Sequence, residues 1–101
     1  MNTTFLLMAQ YNAKAVIPVD VVCKDYFPHL DSAKFVRKVS AGEIKIPLVR
    51  IEGSQKCAKG VHLQDLADYL DTRRAAAVKE CFQLGEAALA LQIARGRKHA
   101  N

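Results

Sequence analysis

From Leu63 onward the chain carries apolar residues at three- and four-residue steps: Leu63, Leu66, Leu70, Ala77, Cys81, Leu84, Ala88 and Leu91. The spacing predicts one helix from Leu63 to about Ala94. Gly85 is its weak point, costing about 1 kcal/mol against alanine in an exposed helix, and is where it would break. Roughly 32 residues at about 1.5 Å each reach about 48 Å. The 62 residues ahead of it cannot cover that length. The half from Ala75 is rich in alanine and leucine and needs another surface. A coiled seam with a second copy answers that need, formed by Leu70, Ala77, Cys81, Leu84, Ala88 and Leu91. A hairpin folding back on the same chain is the alternative.

The preceding residues read as short elements. Thr3-Thr4 ahead of Phe5-Leu6-Leu7-Met8-Ala9-Gln10 suggest a threonine-capped helix ending near Tyr11-Asn12, although so short a run could also be a strand. Ala15-Val16-Ile17-Pro18 reads as extended, because a residue before proline avoids the helical region. Pro18 can open the next helix, and Asp20 in its first turn favours the helix dipole. Val19, Val22, Cys23 and Phe27 form its apolar stripe, and Pro28-His29 close it. Asp31 or Ser32 then caps a helix over Ala33–Ala41, ended by Gly42. Phe35, Val36 and Val39 are its apolar side, and Lys34, Arg37 and Lys38 fall away from it. Two short helices joined by a tight turn make a helix-turn-helix.

Ile44 to Ile51 is β-branched and extended, and Pro47 confines it to an edge or a bulge. Gly53 to Gly60 is a polar loop, and Val61-His62-Leu63 returns to apolar chain. Strand, basic loop and return strand read as a β-hairpin, a wing following the helix pair. The fold class is therefore mainly α with a small β-hairpin (α+β): a winged helix-turn-helix over residues 1–62, a long helix over 63–94, and a flexible basic tail over 95–101.

Charge supports a polyanionic partner where it is concentrated. The chain of 101 residues carries a net +5. Residues 34–62 alone also carry +5, from Lys34, Arg37, Lys38, Lys45, Arg50, Lys56 and Lys59 against Glu43 and Glu52. Residues 63–94 are net −2, and 95–101 add +3. A helix of about ten residues fits the major groove of B-DNA, about 12 Å wide, and arginine can bridge guanine O6 and N7. Arg37 is thus the candidate for base readout, with Ser32, Lys34 and Lys38 on bases or flanking phosphates. Ser54, Gln55, Lys56 and Lys59 in the wing suit phosphate contacts. A merely solvated basic face is the plain alternative for either element, but the two converge in this fold.

Enzyme, membrane and metal readings find no support. No nucleophile elbow, P-loop, zinc-protease or dinucleotide fingerprint is present. Cys57 and His62 are close in sequence but lack an orienting third group. They read as a loop residue and a strand residue, and Cys23 and Cys81 read as core. Three widely spaced cysteines fit reduced thiols, and no His/Cys set has zinc spacing. No apolar run approaches the roughly 20 residues of a membrane span. A signal peptide is not indicated. The expectation is a cytoplasmic DNA-binding protein, on the nucleoid when bound, with neither cofactor, metal nor small-molecule substrate.

Long ordered stretches also carry a family resemblance. They are Asn2 through Tyr11, Val16-Ile17-Pro18 followed by Asp20, Cys23-Lys24-Asp25-Tyr26-Phe27, Arg37-Lys38 and Gly42-Glu43-Ile44. Pro47-Leu48-Val49-Arg50, Ser54-Gln55-Lys56 and Ala58 through Leu70 complete the set. Over Asn2 to about Glu80 the chain resembles the pyocin activator protein (PrtN) family. The resemblance implies a bacterial, often prophage-associated transcriptional activator of phage-tail-like bacteriocin genes, binding double-stranded DNA upstream of them. It assigns no contacts residue by residue. Activation implies a surface for RNA polymerase, for which Asp65, Asp68 and Asp71 are an acidic candidate. The element order also resembles, more loosely, the excisionase and Cox-like regulators, which gives a DNA-bending architectural factor as the alternative. A protein-interaction module such as an anti-repressor, its basic face incidental, is the third reading.

Overall fold

The structure is a computed structural model that describes residues 2–53 and 58–99, with side chains to residue 95. In chain order the elements are α1 (Thr3–Gln10), β1 (Val16–Pro18), α2 (Val19–Tyr26) and α3 (Ser32–Ser40). They continue with β2 (Val49–Arg50), β3 (Lys59–His62) and α4 (Leu63–His99). Two compact units divide the chain, Met1–Asp71 and Thr72–Asn101. The architecture is mainly helical, with a small antiparallel sheet and a long C-terminal helix.

The first helix is capped by Asn2 rather than by a threonine. Asn2 Oδ1 accepts from the Phe5 N–H at 2.9 Å. Thr3 and Thr4 stand one and two places inside the helix. Their hydroxyls instead donate to Asp71 and Gln64 of α4. Beyond Tyr11, Asn12 and Ala13 both take left-handed backbone, with φ of 54° and 59°. They turn the chain from α1 into β1.

Pro18 is the N-cap of α2, where its missing N–H leaves nothing unsatisfied, and Asp20 lies in the first turn. The stripe of Val19, Val22, Cys23 and Phe27 is buried. Asp31 caps α3 by accepting from the Lys34 N–H at 2.8 Å, which leaves Ser32 as the first helical residue. The far end of α3 closes on Gly42 at φ +78°. There the Gly42 N–H donates to the Val39 carbonyl at 3.0 Å and the Glu43 N–H to the Lys38 carbonyl at 2.9 Å. This paired closure is the Schellman motif.

The expected two-stranded hairpin is a three-stranded sheet of order β1-β3-β2. Val16, Ile17 and Pro18 oppose His62, Val61 and Gly60, and Val49 and Arg50 oppose Gly60 and Lys59. The extended run from Ile44 contributes only Val49–Arg50 to the ladder. Pro47 has no N–H to give, and β1 occupies the other edge of β3. The run keeps its alternation all the same: Ile44 and Ile46 are buried, Lys45 and Pro47 exposed. Gly60 sits between both partners. A Cβ there would lie 2.5 Å from Val16 Cγ1 and 3.0 Å from the Ile17 carbonyl oxygen.

β3 passes directly into α4. The Leu63 N–H donates to the Ala15 carbonyl at 2.8 Å, and His62 Nδ1 accepts from the Gln64 N–H at 3.0 Å. Leu63, Leu66 and Ala67 are buried with Phe35, Leu7, Ile17 and Val61, and Tyr69 and Leu70 pack against them. The first unit therefore extends past His62 into the opening turns of α4. Phe27 stacks at a tilt on Phe35 (5.0 Å between centroids) and Tyr69 (5.9 Å), joining α2, α3 and α4. Burying each such large side chain stabilises the fold by about 1.5–3 kcal/mol.

α4 is longer than the expected Leu63–Ala94, and it does not break at its weak point. It runs 37 residues, is unbroken at Gly85 and continues to His99. Residues 95–99 contain no proline to stop it, and an isolated glycine costs only about 1 kcal/mol. Among the described residues from Thr72 to Arg95, none is buried. Cys81, read as a core residue from its place on the apolar stripe, is exposed, whereas Cys23 is buried. The stripe continues past the end of the core, so periodicity alone could not distinguish them.

Candidate functional site

The exposed side of α3 gathers three cations. Phe35 is buried and Val36 and Val39 are half-buried, which turns Lys34, Arg37 and Lys38 to solvent. Together with Ala41 and Glu43 they line a shallow concavity of about 270 Å³. The chain reversal at Gly42 brings Glu43 back over the last turn. Its carboxylate lies 3.6 Å from Lys38 Nζ. Both groups are well exposed, so the ion pair contributes at most about 1 kcal/mol and yields readily to a stronger anion. Lys34 and Arg37 have no ion pair of this kind among the described residues. Ser32 is half-buried in the first turn.

The helix pair is held against α1 by a polar network. Tyr11 donates to Asp25 Oδ2 at 2.7 Å, and Tyr26 donates to Gln10 Oε1 at 2.6 Å. Gln10 Nε2 also donates to Asp25 at 3.4 Å. Burial, then the bond to the Asp25 carboxylate and its charge, push the Tyr11 phenol well above its ordinary value of 10. Burial also raises Tyr26, partly opposed by its bond to Gln10. Both phenols are therefore neutral donors across the physiological range.

In the sheet, Arg50 and Lys59 stand directly opposite each other. Arg50 is exposed and Lys59 half-buried. Like charges in direct cross-strand register repel, so the pair suits an anion held between them. Lys59 was expected in a loop and is instead the first residue of β3. Arg50 was not singled out at all. One step from the Val49–Gly60 pair, forward along β2 and back along β3, places the two cations together. Ser54, Gln55 and Lys56, and Cys57 with them, lie outside the described residues.

The expected seam residues divide between the units. Leu70 packs on the core of the first unit. Ala77, Cys81, Leu84, Ala88 and Leu91 are exposed in the second, Leu84 at 71% and Leu91 at 59%. Of the acidic candidates, Asp71 accepts from Thr3 and Asp68 from Gln64. Among the described residues no cluster of His, Cys, Asp and Glu could hold a metal. No described helix is long and apolar enough to cross a membrane.

No curated protein and no solved structure matches the chain. A family model described as "Pyocin activator protein PrtN" matches residues 3–77, which takes in every element from α1 to β3 and the part of α4 that completes the core. With three quarters of its length in that match, the chain belongs to the pyocin activator family.

Proposed function

We propose that this pyocin activator is a winged helix-turn-helix protein that binds double-stranded DNA upstream of the genes it activates. In this reading α3 enters the major groove, with Arg37 on a base edge and Ser32, Lys34 and Lys38 on bases or flanking phosphates. The β2–β3 hairpin is the wing, with Arg50 and Lys59 on the backbone, and Ser54, Gln55 and Lys56, which follow β2 in the sequence, are assigned to phosphates as well. The observation that carries the reading is the exposed cationic side of α3, the second helix of a tightly joined pair. The facing cations on β2 and β3 support it, since they are a second basic element in the same compact unit. A second copy joins through the exposed face of α4, and activation adds a contact with RNA polymerase. The protein acts in the cytoplasm and needs no cofactor.

The test is a footprint and a binding titration on DNA upstream of neighbouring phage-tail-like genes. Arg37→Ala is expected to cost about 1–3 kcal/mol at the cognate site and to relax specificity there. Arg50→Ala should weaken all sequences alike and lower the slope of log affinity against log salt by about one. Unchanged cognate affinity in Arg37→Ala would remove α3 as the reading element. Salt-insensitive or absent binding by the unaltered protein would remove DNA as the ligand.

A further inference from the structure

Among the described residues that line the cationic concavity on α3, one is an acid. Glu43 shares it with Lys34, Arg37 and Lys38. Its backbone is fixed on both sides. Gly42 before it takes φ +78°, the Glu43 N–H donates to the Lys38 carbonyl at 2.9 Å, and Ile44 after it is buried in the core. The side chain is 60% exposed, with its carboxylate 3.6 Å from Lys38 Nζ.

Folding gains little from an acid at this place. A negative charge beside a helix C-terminus meets the negative end of the helix dipole. An ion pair between well-exposed groups returns little. A phosphate backbone opposes the carboxylate too, since the charges are alike and phosphate has no proton to offer. The floor of the major groove is different. Cytosine presents its N4 amine there and adenine its N6 amine, and an ionised carboxylate accepts a hydrogen bond from either. Among the cations of α3, the carboxylate therefore gains from DNA only where such an amine stands opposite it. At any other site, Lys38 turns to a phosphate and leaves Glu43 facing a polyanion without a donor.

We infer that Glu43 is a selectivity residue of the DNA-reading face, which accepts a hydrogen bond from an exocyclic base amine, cytosine N4 or adenine N6, and weakens binding at sites that lack one. The inference rests on the proposed entry of α3 into the major groove and adds a second reading group beside Arg37. In the free protein Lys38 holds the carboxylate. At the cognate site the base amine takes over that place, and Lys38 is released to the backbone. Specificity is a difference between two affinities, so a group that weakens wrong sites widens it as well as one that strengthens the right site. The three cations supply an attraction common to all sequences, and Glu43 subtracts from it except where the amine is present.

The experiment compares the full chain with its Glu43→Ala variant. Both are titrated, at one salt concentration, with the duplex protected in the footprint and with a random-sequence duplex of equal length. A set of protected duplexes with each base pair replaced in turn completes the comparison. Glu43→Ala should bind the random duplex several-fold more tightly without a matching gain on the protected one. The ratio of the two affinities should fall on the order of tenfold. One position at which the unaltered protein requires an amine-bearing base should become indifferent in the variant, and the base preferred there identifies the amine as that of cytosine or adenine. An equal gain on both duplexes, with no position losing its preference, would reduce Glu43 to a repelling charge and overturn base readout. A fall on both would make it a support for Lys38 and overturn the inference as well. Unchanged binding to both would put Glu43 outside the interface. A loss of cognate affinity in Arg37→Ala would then keep α3 in the groove while the role of Glu43 fell. Absence of DNA binding by the unaltered protein would overturn this inference and the proposed function together.

Discussion

Gly60 has the most tightly enclosed position of the described glycines, for a reason that its place in the sequence conceals. In the sequence it appears to close a polar loop. In the sheet it is the residue of β3 to which both β1 and β2 pair. A methyl group there meets Val16 Cγ1, which can rotate, and the Ile17 carbonyl, which cannot. Gly60→Ala is therefore expected to destabilise the protein by about 1–3 kcal/mol, the usual range for overpacking. Chemical denaturation of the two proteins checks this, and equal midpoints would show that β1 yields at little cost. Gly42 differs in kind: space around it is open, and what it supplies is a positive φ that other residues adopt at a cost. Its role could be read directly from sequence, because a helix pattern ended there. That of Gly60 could not, because it depends on a strand forty residues away.

At the scale of elements, local chemistry was legible wherever a cap or breaker acts on its own neighbours. Pro18, Asp20, Asp31 and Gly42 bound α2 and α3 as their residue types imply. The errors lie where an element depends on another. β1 is three residues long and ends in proline, so its own residues mark it as extended chain but not as a paired strand. It exists because β3 offers an edge. β2 is shorter than its β-branched run for the converse reason, since Pro47 ends the ladder. Thr3 lies on the wrong side of the cap because Asn2 competes for the same orphan N–H.

The network between α1 and α2 is likewise not visible in sequence, and it carries a pH dependence. The neutral phenols are favoured in the fold, with Tyr11 raised chiefly by burial and the Asp25 carboxylate. Their contribution to stability is thus complete below about pH 10, the unfolded phenol value. It is lost as pH rises through the higher folded values. Denaturation midpoints should fall above about pH 10. Tyr11→Phe should cost on the order of 1 kcal/mol at neutral pH and flatten that alkaline fall. An unchanged alkaline slope in the variant would assign the effect to other groups.

Taken as a whole, the molecule places its entire core in one unit. Among the described residues every buried one lies between Leu7 and Ala67, and α4 continues to His99 without another. Isolated helices gain little from propensity alone, and their stability comes from packing of an apolar face. The second half of α4 should therefore melt separately from the core, and its transition should rise with protein concentration if copies pair. Far-UV circular dichroism at two concentrations a hundredfold apart reads this directly. A single concentration-independent transition would show that the helix is stable alone. That a long helix begins at Leu63 was legible from its repeat, although it runs on past Ala94 to His99. The point where the core stops using it was not, since Leu70 and Ala77 continue one pattern on either side of that boundary.

The facing cations of the hairpin have a consequence for how the protein responds to ionic strength. Arg50 and Lys59 repel each other across β2 and β3 in the free protein. Added salt shortens the range of that repulsion, from about 10 Å at 0.1 M to about 3 Å at 1 M, and so firms the hairpin. The same salt weakens every contact that a cation makes with a phosphate. Dilute buffer leaves the β2–β3 pair at its least stable and its most attractive to a polyanion. Concentrated salt reverses both, so that the conditions giving the most ordered strand pair are those in which it has least hold on an anion.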